Sequence, residues 1–178
     1  MKKSVLAILV LIVFLLMAGC GSSNAPEKTS AAPAAKTSAP AAPEKKEKSM
    51  DEKWALVNKE FKAEMSSYPY VIDASATRDE DKKEITFAAI LQPSTKPAIA
   101  LDFADTMLRR YSALAQMFLD KDYKPATKDY YGGLWDDYNA MIIIAPQGAT
   151  EPKDCFVFDH ITRKMHTQQK IELTKKYR

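Results

Sequence analysis

Between Gly21 and Lys48 the chain has no Leu, Ile, Val, Phe, Met, Trp or Tyr, and it carries Pro26, Pro33, Pro40 and Pro43. Such a segment cannot bury enough apolar surface to offset the entropy of ordering it. The folded core is therefore confined to residues 49–178, about the usual size of one domain. The stretch TSAAPAAKTSAPAAP is a loose low-complexity repeat, which predicts a disordered tether. As a flexible coil the tether reaches about 30 Å on average, and roughly 85 Å when stretched as polyproline II.

Ahead of the tether, Met1-Lys2-Lys3-Ser4 is followed by an unbroken apolar run from Val5 to Met17. A basic start, a short apolar stretch and a small-residue site form the pattern of an export signal. The run is too short for a membrane span, which needs about 20 apolar residues. It closes on Met17-Ala18-Gly19-Cys20, which resembles the lipobox of bacterial lipoproteins, with Met17 where Leu is usual. The resemblance implies that the Cys20 sulfur receives a diacylglycerol, that residues 1–19 are removed, and that acyl chains such as palmitate hold the chain at a membrane. More than one chain is needed for stable anchoring. Because Gly21 is not Asp, the resemblance implies sorting to the outer membrane in a diderm source. In a monoderm source it implies the outer face of the cytoplasmic membrane. The expected division is a signal at 1–19, a lipidated Cys20 with tether at 20–48, and one globular domain at 49–178.

The net charge of +3 comes from 26 basic and 23 acidic residues, but the excess lies outside the domain. Residues 51–178 hold 19 basic and 20 acidic side chains, a net charge of −1. A near-neutral domain of mixed charge does not match a nucleic-acid binder.

Within the domain, Ser49 and Glu52 have capping-box spacing, and Trp54, Val57, Phe61 and Met65 recur at helical intervals up to about Ser66. Tyr70, Ile72, Ala74 and Ala76 recur at every second position, as do Ile85, Phe87, Ala89 and Leu91 across a charged turn at 78–83, which predicts a β-hairpin. Pro97 suits the first position of a helix. The next twenty residues place Ile99, Phe103, Met107, Leu108, Tyr111, Leu114 and Phe118 on one apolar face. Asp105 and Arg109 form an i,i+4 pair on that helix. Met141 to Ile144 reads as a central strand, and CFVFDHIT as its partner. The expected fold is α+β in two layers, in the order αββαββ: an antiparallel sheet of four to five strands with the long helix across one face.

The strongest candidate for binding is Tyr130, Tyr131, Trp135, Asp136, Asp137 and Tyr138, which flank Gly132 and Gly133. Aromatic rings beside carboxylates stack on sugars and accept their hydroxyl hydrogen bonds, and paired glycines permit close backbone approach. The same pattern also suits rings packed into the core with the two aspartates at a turn. An exposed Trp135 favours the first reading and a buried one the second. Cys155 with Asp159, His160 and His166 raises a thiol hydrolase or a metal site. Cys155 and His160 have opposite strand parity, however, and no helix start is available to stabilise a thiolate. With Cys20 acylated, Cys155 has no partner for a disulfide and is expected to be buried. Phosphate loops, HExxH and GxSxG patterns do not occur.

The expectation is a lipid-anchored envelope lipoprotein with a small non-catalytic binding or scaffolding domain and no cofactor or metal. Its expected partners are the membrane, through Cys20, and the cell wall or another envelope protein. A carbohydrate- or wall-binding module built on residues 130–138 is the first alternative. An envelope hydrolase is the second, and it requires a cleft holding titratable groups from separate segments.

Overall fold

The computed structural model describes residues 47–167 and 169–178. The expected signal, Cys20 and most of the tether lie outside them. The element order is α1 (Met50–Met65), β1 (Val71–Asp79), β2 (Glu84–Leu91), α2 (Pro97–Phe118), a 3-10 turn (Gly133–Asp136), β3 (Asn139–Pro146), a second 3-10 turn (Pro152–Asp154) and β4 (Val157–Ile161). The helices and strands follow the expected αββαββ order in an α+β fold of two layers.

Both helices start as their sequences require. The Ser49 hydroxyl accepts from the Glu52 amide while the Glu52 carboxylate accepts from the Ser49 amide, closing the capping box. Pro97 opens α2, where its missing N–H costs nothing. Helix α1 packs on β1 and α2, and α2 reaches β3, β4 and the first 3-10 turn. The core between the layers is rich in aromatic rings. Phe87 on β2 lies 5.4 Å from Phe61, 5.1 Å from Tyr111 and 5.8 Å from Trp135, measured between ring centroids, each in a tilted or edge-on contact.

The strands lie side by side in the order β1-β2-β3-β4. The two hairpin pairs are antiparallel, but β2 and β3 are parallel, with Glu84 opposite Asn139 and Leu91 opposite Pro146. The sheet is thus mixed where alternation alone suggested an antiparallel one. The cause is the connection. A single helix crossing the sheet carries the chain back to the end where β2 began, so the next neighbouring strand must run parallel to β2.

Ile85, Phe87, Ala89 and Leu91 all face the helices, as their spacing predicted. On β1 the alternation breaks. A register irregularity between Val71 and Asp73 shifts the parity, so Ile72 is 46% exposed, whereas Ala74 is buried. The other sheet face has no covering layer among the described residues, and Ile90 and Phe158 are about 40% exposed there. In register across that face run Ser75, Ala88, Ile143 and Phe158.

Candidate functional site

The 130–138 segment turns inward. Gly132 has φ +109°, and a Cβ there would lie 2.0 Å from the Ser112 hydroxyl of α2. Gly133 donates its amide to the Lys124 carbonyl at 2.8 Å, and a Cβ on it would meet the Lys124 nitrogen at 2.7 Å. The glycine pair therefore lets the loop press directly onto the helix and its neighbouring strand of chain. The backbone then closes a 3-10 turn that places Trp135 entirely within the core. Trp135 offers no stacking face to solvent.

The remaining side chains of the segment are used within the fold. The Tyr138 hydroxyl donates to Glu80 at 2.7 Å, and its ring meets Trp54 edge-on at 5.6 Å. Burial and the Glu80 carboxylate push the Tyr138 hydroxyl up to about 12. Glu80 is in turn held down at about 2, chiefly by the Lys83 ammonium and also by Tyr138 and Arg78. Asp137 accepts from Tyr123 at 3.0 Å and from Lys121 at 3.2 Å. Tyr130 and Asp136 keep exposed surface and share a 3.3 Å hydrogen bond.

Tyr130 and Tyr131 border a cleft of roughly 460 Å3 between α2, the 128–131 loop and the C-terminal tail. The cleft depends on Arg109. Its guanidinium grips Asp105 with two hydrogen bonds, at 2.6 and 3.0 Å. It also donates to the carbonyls of Tyr130 at 3.1 Å and Lys128 at 2.9 Å, and it lies 4.7 Å above the Tyr131 ring. One side chain thus fixes the loop to the helix, using the fork geometry that a lysine lacks. Tyr131 itself is pushed up to about 12, by burial first and then by Asp105.

His166 closes the opposite side. The tail reaches it through a tight turn: Lys164, at φ +65°, donates to the Trp135 carbonyl at 2.9 Å, and Gln169 donates to the Met165 carbonyl at 2.9 Å. The imidazole lies 4.9 Å from the Tyr130 ring and is only 4% exposed. Both ring nitrogens are shut away from solvent and make no well-aligned hydrogen bond among the described residues, but the Trp135 carbonyl lies close enough to favour the protonated ring. The Asp136 carboxylate is 3.9 Å from Nδ1. Burial outweighs that attraction and holds the imidazole below its ordinary pKa, so it is neutral at physiological pH. The cleft also bears Asp102 from α2, Lys128 and Asp129 from the loop, and Lys170 from the tail, beside apolar Leu101 and Ile171.

This arrangement joins Tyr130 and Tyr131 to His166, two groups that the sequence offered as separate candidates. It also supplies the kind of cleft that a hydrolase requires. Its Arg109 clamp had only one sequence signal, the i,i+4 spacing from Asp105. The Cys155–His constellation is not assembled. Cys155 is buried just before β4 and pushed up by that burial, while His160 sits on the open sheet face opposite Met141. Among the described residues no group of three His, Cys, Asp or Glu side chains is placed to hold a metal ion. Compared with protein-family models, curated proteins and solved structures, the chain matches none.

Proposed function

We propose that this chain is an exported, lipid-anchored envelope lipoprotein whose α+β domain binds a ligand without transforming it, and that the cleft bordered by Tyr130, Arg109 and His166 is the binding site. One observation carries the reading of the cleft: a cavity of roughly 460 Å3 is bordered by three separate segments, with the Tyr130 ring and the charged side chains of Asp102, Lys128, Asp129 and Lys170 along its walls. A general base needs its nucleophile within about 2.6–3.2 Å, whereas a binding site needs unsatisfied polar groups on rigid walls. Arg109 supplies the rigidity. Its guanidinium is committed to Asp105 and two loop carbonyls.

The anchor rests on Met17-Ala18-Gly19-Cys20. Growth with an alkyne-labelled palmitate should label the full chain and leave Cys20→Ala unlabelled and released from the membrane fraction. Equal labelling of both would remove the anchor from the account. A second reading, wall binding, is favoured by the partly exposed Tyr130 ring beside the Asp136 carboxylate. It requires the chain to co-sediment with isolated sacculi and Tyr130→Ala to stay in solution.

A further inference from the structure

We propose that the open face of the sheet pairs with the same face of a second copy of this chain, about a two-fold axis running along the strands between β2 and β3. Composition is the first argument. A sheet face left to solvent is polar by alternation. Here the row Ser75, Ala88, Ile143 and Phe158 and the next row, Thr77, Thr86, Met141 and His160, hold no Asp, Glu, Lys or Arg. Ile90 and its neighbour Ala145 extend the apolar surface at one end. The carboxylates at the margins have partners of their own: Asp73 lies 3.1 Å from the Lys62 ammonium, and Glu84 lies 3.9 Å from the His160 imidazole. Covering the two central rows therefore buries no unpaired carboxylate or ammonium group.

Side-chain size is the second argument, and it selects the occupant. In both central rows the small residues lie on β1 and β2 and the large ones on β3 and β4. A two-fold axis along the strands lays β4 of one copy over β1 of the other, and β3 over β2, each row on its own counterpart. Phe158 then meets Ser75, Ile143 meets Ala88 and Met141 meets Thr86. In the row beyond, the order of sizes is reversed, and Ile90 meets Ala145. Each large side chain enters the space left by a small one, as two interdigitating sheets require. A two-fold axis across the strands would instead set Phe158 against the partner's own β4. The amino-terminal segment supplies no such cover: residues 21–46 contain no Leu, Ile, Val, Phe, Met, Trp or Tyr, and on the lipoprotein reading the apolar run 5–17 leaves with the signal. Strands about 4.8 Å apart and rows about 6.7 Å apart give the four-stranded face about 500 Å2 per copy. The pair buries about 1,000 Å2, the threshold of a specific interface. The cleft is built on α2, in the other layer, and stays open.

The test is sedimentation equilibrium of the full lipidated chain in a density-matched detergent at about 1–100 μM, where an interface this small dissociates. The native chain should pass from monomer to dimer. Ala88→Ile fills the space for Ile143, and Ile143→Ala empties it, each change acting twice across the axis. Either should weaken the dimer at least about tenfold. The two combined restore large against small and should dimerise within about threefold of the native chain. Ser75→Phe, Phe158→Ser and their combination repeat the exchange at the outer pair, so the outcome does not hang on the folding of one variant, which circular dichroism reads. A chain that stays monomeric throughout overturns the proposal, and so does a dimer that neither exchange touches. Single changes that weaken a dimer which no combination restores overturn the two-fold arrangement. Intact mass of the same samples shows whether residues 1–19 are gone, which separates failure of the anchor reading from failure of the pairing.

Discussion

Replacing Gly132 by alanine should cost this domain about 2–6 kcal/mol, and the reason lies in two separable terms. Gly132 has φ +109° and ψ 159°, a region closed to residues with a Cβ at a strain of about 1–3 kcal/mol. The added methyl would also fall 2.0 Å from the Ser112 oxygen and 2.8 Å from its Cβ. Ser112 is buried on the core face of α2, so relief requires moving the helix or the loop. Overpacking of that kind costs about 1–3 kcal/mol more. Gly148 is the internal control. It too has positive φ, +89°, but a Cβ there would meet nothing within 4 Å, so Gly148→Ala carries only the backbone strain. Urea unfolding of both variants separates the terms. With an overpacking cost of about 1–3 kcal/mol and a urea slope of about 1–3 kcal/mol/M, the Gly132 midpoint should fall by roughly 0.3–3 M more than the Gly148 midpoint. Equal shifts would refute the claim that the loop is pressed onto α2, and with it the placement of Tyr130 and Tyr131 at the cleft.

Three further outcomes follow from the site. Arg109→Lys keeps the charge but loses the bidentate grip on Asp105 and the bonds to two loop carbonyls. It should lower stability by about 1–2 kcal/mol in urea, whereas the exposed Lys96→Arg should change little. Acidification should destabilise the native chain more than His166→Gln. The folded imidazole is held below its ordinary pKa, so the unfolded chain takes up a proton first as the pH drops through about 6.5. The stability present above that pH is lost on the way down, and melting temperatures at pH 7.5 and 5.5 should differ more in the native chain than in the variant. Cys155, buried and pushed up in pKa, should react with a maleimide only as fast as the domain opens. Rapid labelling under native conditions would contradict its burial.

The features legible in the sequence are those that local physics decides. The Ser49–Glu52 capping box, the apolar stripes of both helices and the inward face of β2 follow from spacing alone. Where a long-range event intervenes, the pattern misleads. The parallel β2–β3 pairing depends on how many times the chain crosses the sheet, which alternation cannot report. Ile72 shares its spacing with Ala74 and Ala76, yet one irregular register step turns it to solvent. The Tyr130–Tyr138 segment has the composition of a surface platform, and Gly132 and Gly133 instead let it enter the core. The cleft was the least legible. His166 lies in a tail with no periodicity, and only the turn that ties Lys164 to the Trp135 carbonyl brings it to Tyr130.

The central claim is that the cleft, and not the open sheet face, receives the ligand. The direct measurement is amide chemical-shift mapping of the nitrogen-15-labelled chain during titration with soluble cell-wall fragments. The account predicts shifts concentrated at Asp102 to Arg109, at Lys128 to Tyr131 and at His166 to Ile171, with Ile90 and Phe158 unmoved. Shifts centred on Ile90, Ile143 and Phe158, with the cleft silent, would contradict it.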